Sequence, residues 1–159
     1  MLTSLSGAFV FGWAKPVPVQ PQFFHKPRQG MMLVALAGPC TNFLLALFFA
    51  GLLWLSLTFI PPTFWHNYPS CVLVLQAFKA GVYINLCLAW LNLIPIPPLD
   101  GSRVVAFFLP TAQAIQYMRL ERYGFLILMV LLFTKVLDKI LTPLIIGSAN
   151  VLLAYLKLM

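Results

Sequence analysis

A chain of 159 residues with 62% hydrophobic and only 8% charged residues has too little polar surface to cover a soluble globule of its size. Its mean hydropathy of +0.95 places it in the bilayer. The formal net charge of +7 does not argue for nucleic acid, because the basic residues are scattered among apolar segments as interface anchors, and Cys40, Cys71 and Cys87, an odd count without CxxC spacing, give neither a disulfide framework nor a zinc knuckle.

Residues 1–11 are apolar but too short to cross a bilayer, which takes about 20 residues, and they lack the cationic start of a signal peptide. They read as the last turns of a membrane helix whose beginning is absent from the chain. Residues 12–30 carry Pro16, Pro18, Pro21 and Pro27 among Lys15, Lys26 and Arg28. The alternation Pro16-Val17-Pro18-Val19 predicts an extended or polyproline segment on the membrane surface, with the bases facing lipid phosphates.

The first full span is expected over 31–60. Ala35, Gly38, Asn42, Ala46 and Ala50 recur at steps of three and four, forming one small, weakly polar stripe. Such a stripe admits a neighbouring helix closely, and Asn42 can hydrogen-bond across it. Pro39 either kinks this helix or marks its true start. A loop over 61–69 places Trp65 and Tyr68 in an interfacial aromatic belt. The second span is expected over 71–94, with Gly81, Asn85, Leu88 or Ala89, and Asn92 on the face that meets the Asn42 stripe; Lys79 snorkels from it.

The segment Asn92-Leu93-Ile94-Pro95-Ile96-Pro97-Pro98-Leu99-Asp100-Gly101 then breaks the helix with three prolines and presents one of only three acidic residues. An ionised Asp at the edge of hydrocarbon is costly and marks a functional position. The alternative is a proline-rich membrane exit followed by an Asp-Gly turn. Beyond it, Arg103, Arg119 and Arg122 flank an apolar piece read as an interfacial helix. Residues 123–134 are too short to span alone. Lys135, Asp138 and Lys139 separate them from a marginal span over 140–158 containing Pro143 and Gly147. A tilted, interrupted helix and a helical hairpin both fit this end.

The fold class is therefore all-α: a polytopic membrane helix bundle with interfacial and proline-rich extended segments. Three regions are expected: 1–30, 31–102 carrying the core spans, and 103–159. Lys15, Lys26 and Arg28 precede the first span, no Lys or Arg lies between the spans, and three Arg follow the second. The positive-inside rule then puts both basic ends, and Asp100, on the cytoplasmic side.

Asn92 to Gly101 resembles the NxxPxPxLDG motif of the site-2 protease family, the intramembrane zinc metalloproteases, and Ala37-Gly38-Pro39-Cys40-Thr41-Asn42 resembles that family's AGPxxN helix. The flanks Phe11 to Val19 and Leu120-Glu121-Arg122-Tyr123-Gly124 look like its compact bacterial branch. The resemblance implies zinc as cofactor, a bacterial inner membrane, and a membrane-embedded protein substrate. It implies Asp100 as a zinc ligand, Gly101 as the turn that aims it, and Asn92, Asn42, Pro95 and Pro97 as substrate-side residues. It also implies an HExxH helix that supplies two further ligands and the general base, and residues 1–11 would be the tail of the helix after it.

No HExxH occurs in the 159 residues. His25 and His66 fall on opposite sides of the expected membrane and cannot share a metal with Asp100. The one Glu, Glu121, lies between Arg119 and Arg122, as in an interfacial ion pair, and no Ser belongs to a nucleophile motif. The expectation is thus a site-2-protease-like chain that holds one ligand and no catalytic base, inactive without a missing N-terminal helix. A non-catalytic scaffold binding partner helices is the alternative. A small transporter or channel subunit is disfavoured, because intramembrane charge is sparse and no inverted repeat is visible.

Overall fold

In a computed structural model, which describes residues 24–156, the chain is helical and shows no strand among those residues. Helix α1, Pro27–Phe59, is followed by the short α2, Pro62–Asn67, and a 3-10 turn, Pro69–Cys71. Then come α3, Val72–Asn92; α4, Asp100–Phe108; α5, Thr111–Met118; α6, Glu121–Phe133; and α7, Val136–Tyr155. Helices α1, α3 and α7 are long and apolar enough to cross a membrane. The all-α expectation holds. The polyproline reading of 12–30 falls largely outside the described residues, as does the reading of 1–11.

Three local expectations are corrected and one open choice, at Pro39, is decided. Helix α1 begins at Pro27, four residues before the expected span, because proline at the first helical position gives up no hydrogen bond and presets φ. Pro39 therefore lies inside α1 and does not start it. The 61–69 connection is not a plain loop: Pro62 nucleates α2 in the same way. The apolar piece after Asp100 is two helices, broken where Pro110 cannot continue α4 and instead precedes α5.

The core is where small residues let helices touch. Without water, helices gain little by hiding apolar surface from lipid, so close backbone packing decides which faces meet. Ala46 and Ala50 of α1, Val82 and Leu86 of α3, and Ala149 of α7 form one buried cluster. Of the small stripe of α1, Ala35, Ala46 and Ala50 are buried, with Pro39 beside them, whereas Gly38 is exposed and Asn42 half-buried. On α3 the choice between Leu88 and Ala89 falls to Ala89, which is fully buried while Leu88 is exposed. Phe43 meets Trp90 edge to face at 5.4 Å, and the Trp90 indole N–H donates to Ser148 Oγ on α7 at 3.2 Å.

The C-terminal end resolves into two helices. Thr134 ends α6, and Lys135 adopts a left-handed conformation, φ 56°, from which α7 starts afresh. Such a conformation costs an L-residue roughly 1–2 kcal/mol and so marks a specified break.

Candidate functional site around Asp100

Asn92 closes α3, and the next seven residues run without helix to Asp100, the first residue of α4. Pro95, Pro97 and Pro98 lack backbone N–H groups, so no ladder of helical bonds can form across them. Short bonds fold the segment on itself: Ile96 N–H donates to the Ile94 carbonyl at 2.8 Å, Leu99 N–H to Ile96 at 2.9 Å, and Ser102 N–H to Leu99 at 3.0 Å. The Ser102 hydroxyl also donates to the Leu99 carbonyl at 2.7 Å, and Ser102 is fully buried.

Glycines make the close approaches. A Cβ on Gly101 would collide with the carbonyl groups of Leu93 and Ile94, so only glycine lets the start of α4 fold back on the end of α3. One carboxylate oxygen of Asp100, Oδ2, lies 3.1 Å from where a Cβ of Gly38 would stand. The two motifs, 62 positions apart in the chain, therefore meet in space, with the glycine of one leaving room for the acid of the other.

Asp100 is part-buried. Burial raises its pKa above the usual 3.8, and the Arg103 guanidinium one turn on pulls it back down. Its place in the first turn of α4 also sets the carboxylate at the positive end of that helix.

The other residues singled out in the sequence lie around this point in different ways. Asn42 and Asn92 are half-buried. Asn85 is more buried than either, and its amide donates to the Gly81 carbonyl of its own helix at 2.8 Å. Pro95 is exposed, whereas Pro97 is fully buried. His25 precedes α1 and His66 lies in α2 beyond its far end, so the 33 residues of α1, about 50 Å of helix, stand between their backbone positions.

One residue, Tyr117, escaped the sequence reading, and two, Arg28 and Gly124, entered it in other roles. Arg28 at the start of α1 donates to the carbonyls of Ala106, Phe107 and Leu109, capping α4, which has no basic residue in its own last turn. The Tyr117 hydroxyl donates to the Pro95 carbonyl at 2.7 Å, and burial raises its pKa above 10.0. Gly124 of α6 lies directly on the Pro97 carbonyl. In the sequence Gly124 stood out only as the end of the flank Leu120-Glu121-Arg122-Tyr123-Gly124, and Arg28 only as a base facing lipid phosphates. Arg28, Arg103, Met118, Arg119 and Glu121 also line a cavity of about 650 Å³ between the start of α1 and helices α4 and α5.

Zinc hydrolases use three protein ligands and keep one position open. Among the described residues no three of His, Cys, Asp or Glu come together, so these residues do not by themselves form a zinc site. Asp100 is the one acidic donor that the two motifs bring into contact.

A membrane helix bundle that presents a glycine-cradled Asp beyond a proline-broken span is a definite class of protein, and comparison with known proteins gives the family it is similar to. The model of Peptidase family M50 matches residues 63–135, which include the whole proline-broken segment. The chain is 36% identical over 141 residues to "Putative zinc metalloprotease YwhC" of Bacillus subtilis (strain 168), an alignment covering 85% of this chain and 60% of that protein. The chain is thus similar to Peptidase family M50, the site-2 protease family, across this segment, and it spans about 60% of the length of this curated relative. No solved structure matches the chain.

Proposed function

We propose that this chain supplies the Asp-bearing wall of a site-2-protease-like intramembrane metalloprotease, which cleaves helical segments of membrane proteins. The observation that carries the reading is the meeting of Asp100 with Gly38, since it joins the two motifs at one point. Asp100 is the oxygen ligand this wall offers to zinc. The nitrogen ligands and the general base come from an HExxH-bearing helix, which these residues do not include.

A substrate helix must be opened before its peptide bond can be attacked, and its freed N–H and C=O groups then need partners inside the membrane. The amides of Asn92 and Asn42 can both donate and accept, so they suit that task. Pro95, Pro97 and Pro98 keep the wall itself from closing into helix, and Gly101 lets it turn tightly enough to deliver Asp100. The basic ends support a position near the cytoplasmic face, and the family resemblance supports a bacterial inner membrane.

The test joins the chain to an HExxH-bearing membrane segment and measures zinc content and cleavage of a transmembrane peptide. Zinc should bind one to one. Asp100→Ala should abolish both zinc binding and cleavage, while Asn92→Ala should keep zinc and slow cleavage. An Asp100→Ala protein that retains zinc and activity would overturn the reading, as would stoichiometric zinc and proteolysis by residues 1–159 alone.

A further inference from the structure

The segment that delivers Asp100 is not held by its own hydrogen bonds alone. It spans Leu93 to Leu99, contains three prolines and has few N–H groups with which to anchor itself. Two of its carbonyls are gripped from outside, by residues on elements that come later in the chain. The Tyr117 hydroxyl, on α5, donates to the Pro95 carbonyl at 2.7 Å across 22 positions. Gly124, on α6, is buried with its Cα against the Pro97 carbonyl, and the Pro98 ring lies 2.5 Å from where a Cβ would project. Pro97 is fully buried beneath this contact.

We propose that Tyr117 and Gly124 are positioning residues for Asp100: together they fix the Pro95 and Pro97 carbonyls and thereby hold the Asp100 carboxylate beside Gly38. The inference rests on Asp100 being the working group of the site, but the grip itself is a property of the folded chain. Two alternate prolines face two different holders, so the segment is restrained at two points on the same side of Asp100. A proline segment restrained at one point could still pivot about it. Restrained at two, it loses that pivot and keeps only rotation about the line through the two contacts. The holders differ in kind. Tyr117 acts through one hydrogen bond, which phenylalanine would remove while leaving the ring in place. Gly124 acts by being small, and any side chain there must push the Pro97 backbone away.

The experiment is amide hydrogen exchange on the full chain in lipid nanodiscs, which needs neither metal nor substrate. Tyr117→Phe should speed exchange at Ile96, Leu99 and Ser102, whose N–H groups bond within the segment, by roughly fivefold, as expected for loss of one ordinary hydrogen bond. Val82 and Leu86 in the core should be unchanged. Tyr123→Phe, at an exposed tyrosine, is the control and should change nothing. Gly124→Ala should speed the same three amides more strongly; if it does not fold, Tyr117→Phe decides alone. Unchanged exchange at Ile96, Leu99 and Ser102 in Tyr117→Phe would overturn the proposal. So would a uniform increase that includes Val82 and Leu86, since Tyr117 would then support the whole bundle and not this segment. These outcomes are independent of the zinc and cleavage results for Asp100→Ala, so failure of the grip and failure of the protease reading are told apart.

Discussion

Arg28 donates to the carbonyl of Ala106 at 2.9 Å, joining residues 78 positions apart. The first turn of α1 is thereby tied to the last turn of α4, where it supplies the positive charge missing from that turn. The same guanidinium reaches Phe107 at 3.3 Å, the Leu109 carbonyl and the Thr111 hydroxyl at 3.4 Å.

Arg28→Ala should therefore lower stability by about 1–2 kcal/mol, the scale of a few solvent-accessible charged hydrogen bonds. Arg28→Lys should recover only part of it, because a single ammonium cannot reach several carbonyls with the fixed fork of a guanidinium. Thermal unfolding in detergent measures both, and equal midpoints for Arg28→Ala and the parent would refute the tie.

Ala46 has no exposed surface between α1 and α3. Ala46→Leu should force those helices apart and cost about 1–3 kcal/mol. Leu44→Ala on the exposed face of the same helix should cost far less. Resistance of each variant to unfolding in a denaturing detergent compares them; similar losses would mean that the helix faces are wrongly assigned.

Tyr117 gives a pH signature. Burial raises its pKa above 10.0, so the folded chain holds that proton more tightly than the unfolded chain does. The stabilisation is complete below pH 10.0 and is lost as pH climbs through the raised value. Melting temperature followed into the alkaline range should fall faster for the parent than for Tyr117→Phe. Parallel curves would show that the phenol proton plays no part in stability.

Topology is tested by single cysteines in a background free of Cys40, Cys71 and Cys87. A cysteine at Asn67 should label from outside the cell and one at His25 only after the membrane is opened. The reverse pattern would move Asp100 to the other face.

What the sequence revealed followed from periodicity and composition. The stripe from Ala35 to Ala50 was legible because a helix repeats its faces every three or four residues, and the packed face is where side chains are small. Asp100 was legible because acid is rare and costly at the membrane edge. The start of α1 was misjudged because Pro27 reads as a breaker unless it falls at the first helical position. The break near Lys135 was signalled by the polar patch of Lys135, Asp138 and Lys139, but its left-handed conformation was not, since such a lysine looks like any other lysine in a sequence. Tyr117 was hidden for another reason. Its role depends on which carbonyl the fold sets opposite the hydroxyl, and no local pattern encodes a partner 22 residues away.

Helix α6 has 13 residues, about 20 Å of helix, and shows Phe125, Leu126 and Phe133 on its outer surface. The hydrocarbon layer is about 30 Å thick. A helix of this length does not cross that layer alone, and any thickening of the layer against its apolar outer surface would pull on it. Because Gly124 near its start rests on Pro97, any such pull is delivered to the segment leading to Asp100. Acyl-chain length thus becomes a variable of the site: the same chain in short-tailed and long-tailed lipid should not hold Asp100 with the same firmness.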